Sequence, residues 1–180
     1  MKIVKLFVFF YAVFGFSAFS AVVDLDSLNR DPAYVATIIV RSQKIVDQLN
    51  LGDPQVALSV RNIIANRYFE LNDIYEKRDQ ALKALEDNSM LSAEQKNAER
   101  ERIANEKDVA LYRTHFAFPA NLSLFLTCEQ IDTVKDGMTY GVVKVTYDAF
   151  LDMIPSLTDE EKKQIFAWLL EAREYAIDGE

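Results

Sequence analysis

Apolar side chains recur at steps of three and four residues along much of the chain after Asp31. An α-helix turns once every ~3.6 residues, so this spacing collects apolar side chains on one helical face. The first such face comprises Val35, Ile38, Ile39, Ser42, Ile45, Val46 and Leu49. Asp31 and Pro32 supply an N-cap and a first helical residue. Since Asn50 and Gly52 end the run, the sequence predicts a half-buried helix between these two signals.

A second and longer helix is predicted to follow almost at once. Asp53 and Pro54 repeat the start signal, and the helical period continues for about eight turns. Its apolar positions are Val60, Ile63, Ile64, Tyr68, Leu71, Ile74, Tyr75, Leu82 and Leu85. The link between the two helices is very short, so the sequence predicts an antiparallel helical hairpin with facing apolar stripes.

Three later segments share a capping-box pattern, in which a Ser or Thr precedes a Glu or Gln by three residues. The hydroxyl accepts a hydrogen bond from a backbone N–H of the first helical turn, and the Glu or Gln side chain accepts one from the backbone N–H of the capping residue. The boxes predict helix starts at Ser92, Thr127 and Thr158. The helix from Ser92 is expected to run to about Phe118, where Pro119 should stop or kink it.

The C-terminal part of the chain is predicted to be helical and to contain one ordered loop. Residues 137–145 lack a helical period, which predicts an ordered loop, and their content of β-branched residues allows an extended piece of a few residues. A short helix from Thr146 to Ile154 follows. The last helix is expected to face inward with Ile165, Phe166, Trp168, Leu169, Ala172 and Ala176. With 5 Gly and 4 Pro, turns are too few for a sandwich or barrel, so the predicted fold class is all-α, an antiparallel helical bundle.

The front of the chain has the pattern of a signal peptide. Lys2 and Lys5 precede an apolar stretch from Leu6 to Phe19, and small residues end it at Ser20. We expect cleavage after Ser20, a single domain over 21–180, and a periplasmic or otherwise exported protein. An uncleaved membrane anchor is the alternative, because the apolar stretch is almost long enough to cross a bilayer.

The charge of the chain limits its possible partners, and its cysteine content limits its disulfides. Removal of residues 1–20 leaves 18 basic and 28 acidic residues, a net charge of −10. This charge opposes binding to nucleic acid and to anionic membranes. Cys128 is the single cysteine, so an exported chain would have no internal disulfide. The oligomeric state is not predicted.

Few residues suggest chemistry. One His, one Cys and scattered glycines predict neither a metal site, nor a phosphate cradle, nor any other cofactor. His115 shares a helix face with Leu111 and Phe118, which favours a hydrogen-bonded core histidine over a general base. Cys128 begins a helix, and a small buried apolar role is favoured there over a reactive thiol. Asp148 and Asp152 lie one turn apart, as on any exposed helix.

The best candidate for binding is the glycine-containing segment from Lys135 to Gly141. It combines the charged pair Lys135 and Asp136 with Tyr140, and loops of this kind often carry binding groups. Tyr140, Tyr147 and Trp168 would together offer aromatic faces to a sugar or peptide. The alternative is that Gly137 caps a helix and the aromatic rings fill the core. The candidate ligand-binding residues are His115, Lys135, Asp136, Tyr140 and Tyr147.

Four segments carry a resemblance to a known family: ANRYFELNDIYEKRD, HFAFPANLSLFLTCEQIDTVKDGMTYGVV, VTYDAFLDMIPSLT and WLLEAREYAIDG. From about Ile38 to Asp178 the chain resembles an uncharacterised domain-of-unknown-function family of exported Bacteroidota proteins, often found near polysaccharide-degradation genes. The resemblance implies no catalytic residue. It implies a further basic, aromatic segment after Asp178, so the chain is expected to be truncated, and it implies proline where Cys128 stands.

The segments LSAEQ and LTCEQ are also similar to the repeated Leu-Thr-x-x-Gln motifs of periplasmic helical chaperones. We therefore expect a periplasmic helical module without catalysis, which binds a partner protein or a glycan fragment. The alternative is an accessory enzyme of polysaccharide degradation. The residues to test for that activity are His115, Asp136, Tyr140 and Asp148.

Overall fold

The structure, a computed structural model, describes residues 22–179, which contain helices and no strand. The α-helices are α1 (Pro32–Val46), α2 (Pro54–Asp87), α3 (Ala93–His115), α4 (Ala117–Leu122), α5 (Cys128–Met138), α6 (Val142–Met153) and α7 (Asp159–Ala176), and a 3-10 turn (Asp47–Leu49) extends α1. The prediction of an all-α fold is confirmed. In the described part of the chain, no helix combines the length and apolar character needed to cross a membrane. The predicted signal peptide lies outside the described residues.

The predicted helix starts are confirmed in their hydrogen bonds. Asp31 accepts the backbone N–H groups of the first turn of α1, and Asp53 does the same for α2. Ser92, Thr127 and Thr158 each form a complete capping box with the residue three positions later. Local side-chain chemistry therefore fixes where five of the helices begin.

α2 is the central element, since α1, α3 and α4 all pack against it. α1 and α2 run antiparallel, as predicted, and α5 lies against α1. The main core lies where α1, α2, α4 and α5 meet. Its innermost side chains are Val60, Ile64, Leu122 and Val134, and the neighbouring Phe69 is also fully buried. Burial of these side chains supplies the main driving force for this part of the fold.

The helix that begins after Ser92 ends earlier than predicted. α3 ends at His115, and α4 begins two residues later, so that Pro119 lies inside α4. Proline has no N–H to donate to the carbonyl four residues earlier, and its ring clashes with that carbonyl, which belongs to His115. The break therefore falls at Phe116, and His115 lies at the C-terminal end of α3.

The prediction of a loop over residues 137–145 is wrong in its length and its extended piece. α5 and α6 are separated by Thr139, Tyr140 and Gly141 alone. Tyr140 has φ +57°, and the N–H of Gly141 donates to the carbonyl of Asp136 at 2.7 Å, as in a Schellman helix end. Tyrosine thus occupies a left-handed position that usually holds glycine, which is why the sequence pattern misplaced the turn.

Gly137, expected as a possible helix cap, lies within α5. A Cβ atom there would come within 3.0 Å of the Ile45 side chain. The glycine therefore allows the close approach of α5 to α1 and does not form the turn.

The segment before α1, residues 22–30, forms an N-terminal strap along α2. Ser59 accepts a hydrogen bond from the Val23 N–H at 3.3 Å, and Asn62 donates to the Val23 carbonyl at 2.7 Å. Asn66 donates to the carbonyl of Asp24 at 2.9 Å. Three polar side chains at helical spacing therefore satisfy the backbone of a segment that forms no secondary structure.

α6 and α7 form a second hairpin that is much less buried than the first. Val143 is the buried residue of α6 and Arg173 that of α7 within the described chain. Of the predicted inward positions on α7, Ile165 and Leu169 are half-buried, whereas Phe166, Trp168, Ala172 and Ala176 are exposed, Trp168 at 60%. The prediction is therefore wrong for these four. The buried face of α7 instead leads through Arg173 to Ile177, and Trp168 lies on the opposite side of the helix.

Candidate functional site

An open cleft of about 700 Å³ lies between the C-terminal half of α3 and that of α7. It is lined by aromatic rings and by acidic side chains, with His115 among them. The lining residues are Tyr75, Lys107, Asp108, Leu111, Tyr112, His115, Phe116, Glu171, Glu174, Tyr175 and Asp178. The break between α3 and α4 positions His115 and Phe116 at one end of this cleft.

His115 is held in place by a carboxylate. Its Nδ1 lies 2.7 Å from Oδ2 of Asp178, just beyond α7. The side chains of His115 and Asp178 are 19% and 14% exposed. With Nδ1 engaged by the carboxylate, Nε2 remains on the other edge of the ring without a partner among residues 22–179. The pair therefore offers an oriented imidazole to a ligand in the cleft.

A buried arginine holds the same carboxylate from the other side. Nη2 of Arg67 lies 2.5 Å from Oδ1 of Asp178, and the Arg67 side chain is only 1% exposed. Its Nη1 contacts Glu70 at 2.5 Å and Thr114 at 2.7 Å. A buried guanidinium needs such partners, because an unpaired charge in the interior is costly. These contacts link α2, α3 and the end of α7.

The backbone after α7 is fixed as well. The hydroxyl of Tyr75 donates to the carbonyl of Asp178 at 2.7 Å, and the side chain of Ile177 is buried in the main core. The cleft wall formed by Asp178 is therefore anchored at three points, which are its carboxylate, its carbonyl and the preceding side chain. Such anchoring organises the site before a ligand arrives.

The aromatic rings of the cleft are unusually exposed. Tyr112 is 70% exposed and Tyr175 is 74% exposed, and the Phe116 ring is also open to solvent. Phe116 contacts both Tyr112 and His115 edge to face, with ring centroids 5.8 and 4.8 Å apart. The cleft thus presents ring faces and edges to solvent, and these surfaces stack well on flat apolar groups.

The acidic residues of the cleft differ in their partners. Asp108 pairs with Lys107 at 2.8 Å, and Glu174 pairs with Lys135 at 2.6 Å. Glu171 is exposed and has no hydrogen-bond or ion-pair partner within the described chain. Its carboxylate oxygens are therefore available to accept hydrogen bonds from a ligand.

Lys135 and Asp136 have partners on α7. Lys135 contacts Glu174, which places it behind one wall of the cleft. Asp136 pairs with Arg173 at 2.7 Å, and Asp132 pairs with the same guanidinium. Burial opposes the charge of Arg173, but these two carboxylates outweigh it and raise the pKa of the guanidinium. Both predicted residues therefore connect α5 to α7.

Tyr140 and Tyr147 lie apart from the cleft lining. Tyr140 projects from the turn between α5 and α6 and is 79% exposed. Tyr147 is half-buried, with its ring 5.2 Å from that of Phe166. Of the five predicted residues, the structure thus places His115 in the cleft and Lys135 next to it, while the other three lie elsewhere.

Two further residues considered in the sequence analysis, Cys128 and Asp148, lie outside the cleft. Cys128, expected to be a small buried residue, is exposed at the first position of α5, because the buried face of that helix runs through Val134 and Met138. Asp148 pairs with Lys144 on the exposed side of α6. Within residues 22–179, no group of three or more His, Cys, Asp and Glu side chains could hold a metal ion.

A comparison with known protein families identifies the family of this chain. The family model described as "Protein of unknown function (DUF3826)" matches residues 35–180. The chain belongs to this family. No curated protein is similar to it. Membership in DUF3826 identifies relatives and assigns no function, so any proposal about function has to be argued from the cleft.

Sequence reasoning missed most residues of the cleft in this DUF3826 protein. Arg67, which holds Asp178 from behind the cleft, had a visible signal, since it falls within the apolar stripe of α2 between Ile64 and Leu71, where a charge needs a buried partner. Asp178 carried no such signal, because its partners lie more than 60 residues away in the chain. The exposed rings of Tyr112 and Tyr175 could not be separated from core aromatics by spacing alone.

Proposed function

We propose that this protein is a binding module without catalysis that holds a neutral glycan fragment in the cleft between α3 and α7. The observation that carries the proposal is the group of exposed rings, Tyr112, Phe116 and Tyr175, which lie around the oriented His115 and around Glu171. Glu171 has no partner in the part of the chain that the structure describes. Sugars present apolar C–H faces and hydroxyl groups on the same small molecule. Exposed rings match the faces, and carboxylate and imidazole groups match the hydroxyls.

The charge of the cleft favours a neutral ligand over an acidic one. Among the described residues, the lining includes four carboxylates, Asp108, Glu171, Glu174 and Asp178, and one ammonium group, that of Lys107. A glycan that carries uronic acids would meet this negative potential in a partly enclosed space. Uncharged hydroxyls meet no such repulsion, and each can donate a hydrogen bond to a carboxylate.

The function is tested by binding measurements on the chain from Ala21 onward. Neutral oligosaccharides derived from cellulose, mannan and xylan would be screened by thermal shift and calorimetry. A ligand at about one hundred times its Kd stabilises a protein by about 2.7 kcal/mol, which is readily seen as a rise in Tm. Tyr112→Ala should abolish the rise. Absence of any shift at millimolar sugar would refute the proposal.

Tyr140→Ala is the matched control for that experiment. Tyr140 is as exposed as Tyr112 but lies outside the cleft lining. We expect its substitution to leave glycan binding unchanged. Equal losses in the Tyr112 and Tyr140 variants would indicate a nonspecific effect and would count against this cleft.

A second function is favoured by one observation, the hydrogen bond between His115 and Asp178. An imidazole oriented by a carboxylate and open at Nε2 has the form of a general base. The corresponding candidate is an accessory enzyme that cleaves a bound glycan. His115→Gln would then abolish product formation while ligand binding persists. If the wild-type protein binds an oligosaccharide and releases no product over long incubation, the module without catalysis is favoured.

Export is part of the proposal and is supported by Lys2, Lys5 and the apolar stretch that follows them. N-terminal sequencing of protein recovered from the periplasm or medium should begin at Ala21. Recovery of the uncleaved chain from the membrane fraction would favour the anchor instead.

A further inference from the structure

The outer face of α7 carries a row of a ring, a carboxylate and a second ring. Trp168, Glu171 and Tyr175 are spaced by three and then four residues, which places all three side chains on one face of the helix. All three are exposed, with Trp168 at 60% and Tyr175 at 74%. This face points away from the side of α7 that leads to the buried Arg173 and Ile177.

The row begins inside the cleft and continues outside it. Glu171 and Tyr175 line the cleft, whereas Trp168 does not. Seven residues at ~1.5 Å per residue separate Trp168 from Tyr175 by about 10 Å along the helix axis. Glu171 lies between the two rings, so an extended molecule that leaves the cleft along α7 passes a carboxylate before it reaches the indole.

We infer that Trp168 forms an outer binding position for the same ligand, and that the ligand is a neutral oligosaccharide long enough to reach from the cleft to the indole. The inference rests on the proposed function, because the inner part of the binding surface is the cleft. Tyr112, Phe116 and Tyr175 hold the inner sugar residues. Glu171 accepts hydrogen bonds from hydroxyls in the middle, and Trp168 stacks on an outer residue.

The composition of the row favours an oligosaccharide over a protein partner. The centre of a protein interface is depleted in charged residues, and burial of an unpaired carboxylate there is costly. Glu171 stands at the centre of this row without a partner in the described chain. A sugar chain leaves such a carboxylate partly hydrated and supplies hydroxyl donors along its whole length.

The position of Trp168 makes the inference directly measurable, because the chain contains one tryptophan. Its fluorescence therefore reports on this outer position alone. Length series of neutral cello-, manno- and xylo-oligosaccharides, from disaccharide to hexasaccharide, would be titrated into the protein. We expect the longer members of the series that binds to change the indole emission and to bind at least tenfold more tightly than the disaccharide, since both positions act on one linked ligand.

Variants separate the outer position from the cleft. Trp168→Ala should reduce the affinity for the hexasaccharide to that for the disaccharide, as measured by calorimetry, and leave disaccharide binding unchanged. Trp168→Phe keeps a ring and should restore much of the difference. Since Trp168 is exposed, both variants are expected to fold, which circular dichroism would verify. Tyr140→Ala, at an exposed ring elsewhere, should bind every length as the wild-type protein does.

The two proposals fail in different ways. If the wild-type protein binds sugars but shows neither length dependence nor an emission change at saturation, the outer position is wrong and the cleft proposal stands. Unchanged length dependence in Trp168→Ala would lead to the same conclusion. If no sugar of any length binds, the cleft proposal is wrong and the outer position is refuted with it.

Discussion

The part of the molecule around α2 and the α6–α7 hairpin are both helical, yet they are held together by different interactions. Around α2, side chains such as Val60, Ile64 and Phe69 are fully shielded from solvent. In the hairpin, Val143 and Arg173 are the buried residues within the described chain, and rings such as Phe166 remain 41% exposed. The first part depends on apolar burial, and the second depends less on it.

Apart from the buried Ile177, charged and polar groups connect the two parts. Arg173 joins α7 to α5 through Asp132 and Asp136, and Arg67 joins the end of α7 to α2 through Asp178. These links need specific geometry, whereas apolar packing tolerates similar side chains. The cleft lies at this boundary, so the residues that attach the hairpin also shape the candidate site.

The largest effect is expected from Phe69→Ala, which removes a fully buried ring beside α1. Loss of a core phenylalanine should lower the free energy of unfolding by about 3–5 kcal/mol. Phe166→Ala is the matched change in the hairpin and should cost about 1 kcal/mol, because that ring is already partly exposed. Urea denaturation of both variants measures the difference. Equal losses would contradict the comparison between the two parts.

Asp178→Asn should have the next largest effect. It removes the charge that faces the buried Arg67, although Glu70 and Thr114 still contact the guanidinium. We expect a loss of about 3 kcal/mol in the free energy of unfolding, at the lower end for a broken buried ion pair. The double variant with Arg67→Met should lose less than the sum of the single changes. Additive losses would show that the two residues do not interact.

Thr158→Ala removes the capping hydroxyl of α7 and should cost about 1 kcal/mol. Thr158→Ser keeps the hydroxyl and serves as its control. Hydrogen exchange should report the change mainly in the first turns of α7, since the hairpin is loosely packed. Uniform loss of protection across α2 would mean that the two parts unfold as one unit.

Tyr140→Gly should slightly stabilise the protein, by about 0.5 kcal/mol. Glycine relieves the left-handed conformation at φ +57°, and this gain exceeds the entropy that glycine adds to the unfolded chain. Thermal unfolding would measure the change. Tyr140→Phe is the control and should leave Tm unchanged. A destabilised glycine variant would indicate that the exposed tyrosine ring makes a contact of its own.

The smallest effect at neutral pH is expected for Tyr68→Phe, and it should appear only in alkali. Burial raises the pKa of Tyr68 from 10.0 to about 12, although Arg41 opposes the shift. The folded state thus favours the neutral phenol, and this contribution is complete below pH 10 and lost as the pH rises towards 12. The wild-type protein should therefore lose stability over this range more steeply than the variant. Parallel stability curves would contradict the shift.

The fold was more accessible to sequence reasoning than the site, for a physical reason. Caps and apolar periods act over three or four residues, so the helix starts at Ser92, Thr127 and Thr158 could be predicted from neighbours alone. The turn at Tyr140 could not, because tyrosine rarely adopts a left-handed conformation.

The residues of the cleft come together only through the fold. His115 is a candidate from the sequence because it is the sole histidine, but nothing in the sequence distinguishes its partner Asp178 from other acidic residues near a helix end. Apolar positions on α7 extend around much of the helix, so their spacing alone predicts that Trp168 lies in the core. Only the tertiary structure shows that the Trp168 side chain faces solvent, on the same face of α7 as Glu171 and Tyr175.

The N-terminal strap has a consequence for the order in which the protein folds. Val23 and Asp24 depend on Asn62 and Asn66, whose positions are about 40 residues later in the chain. No local interaction can order this segment before α2 exists, and closing such a long loop carries an entropic cost. We therefore expect this segment, although it is synthesised before the helices, to be among the last to become ordered. Protection of its amide hydrogens from exchange would then report the completion of folding.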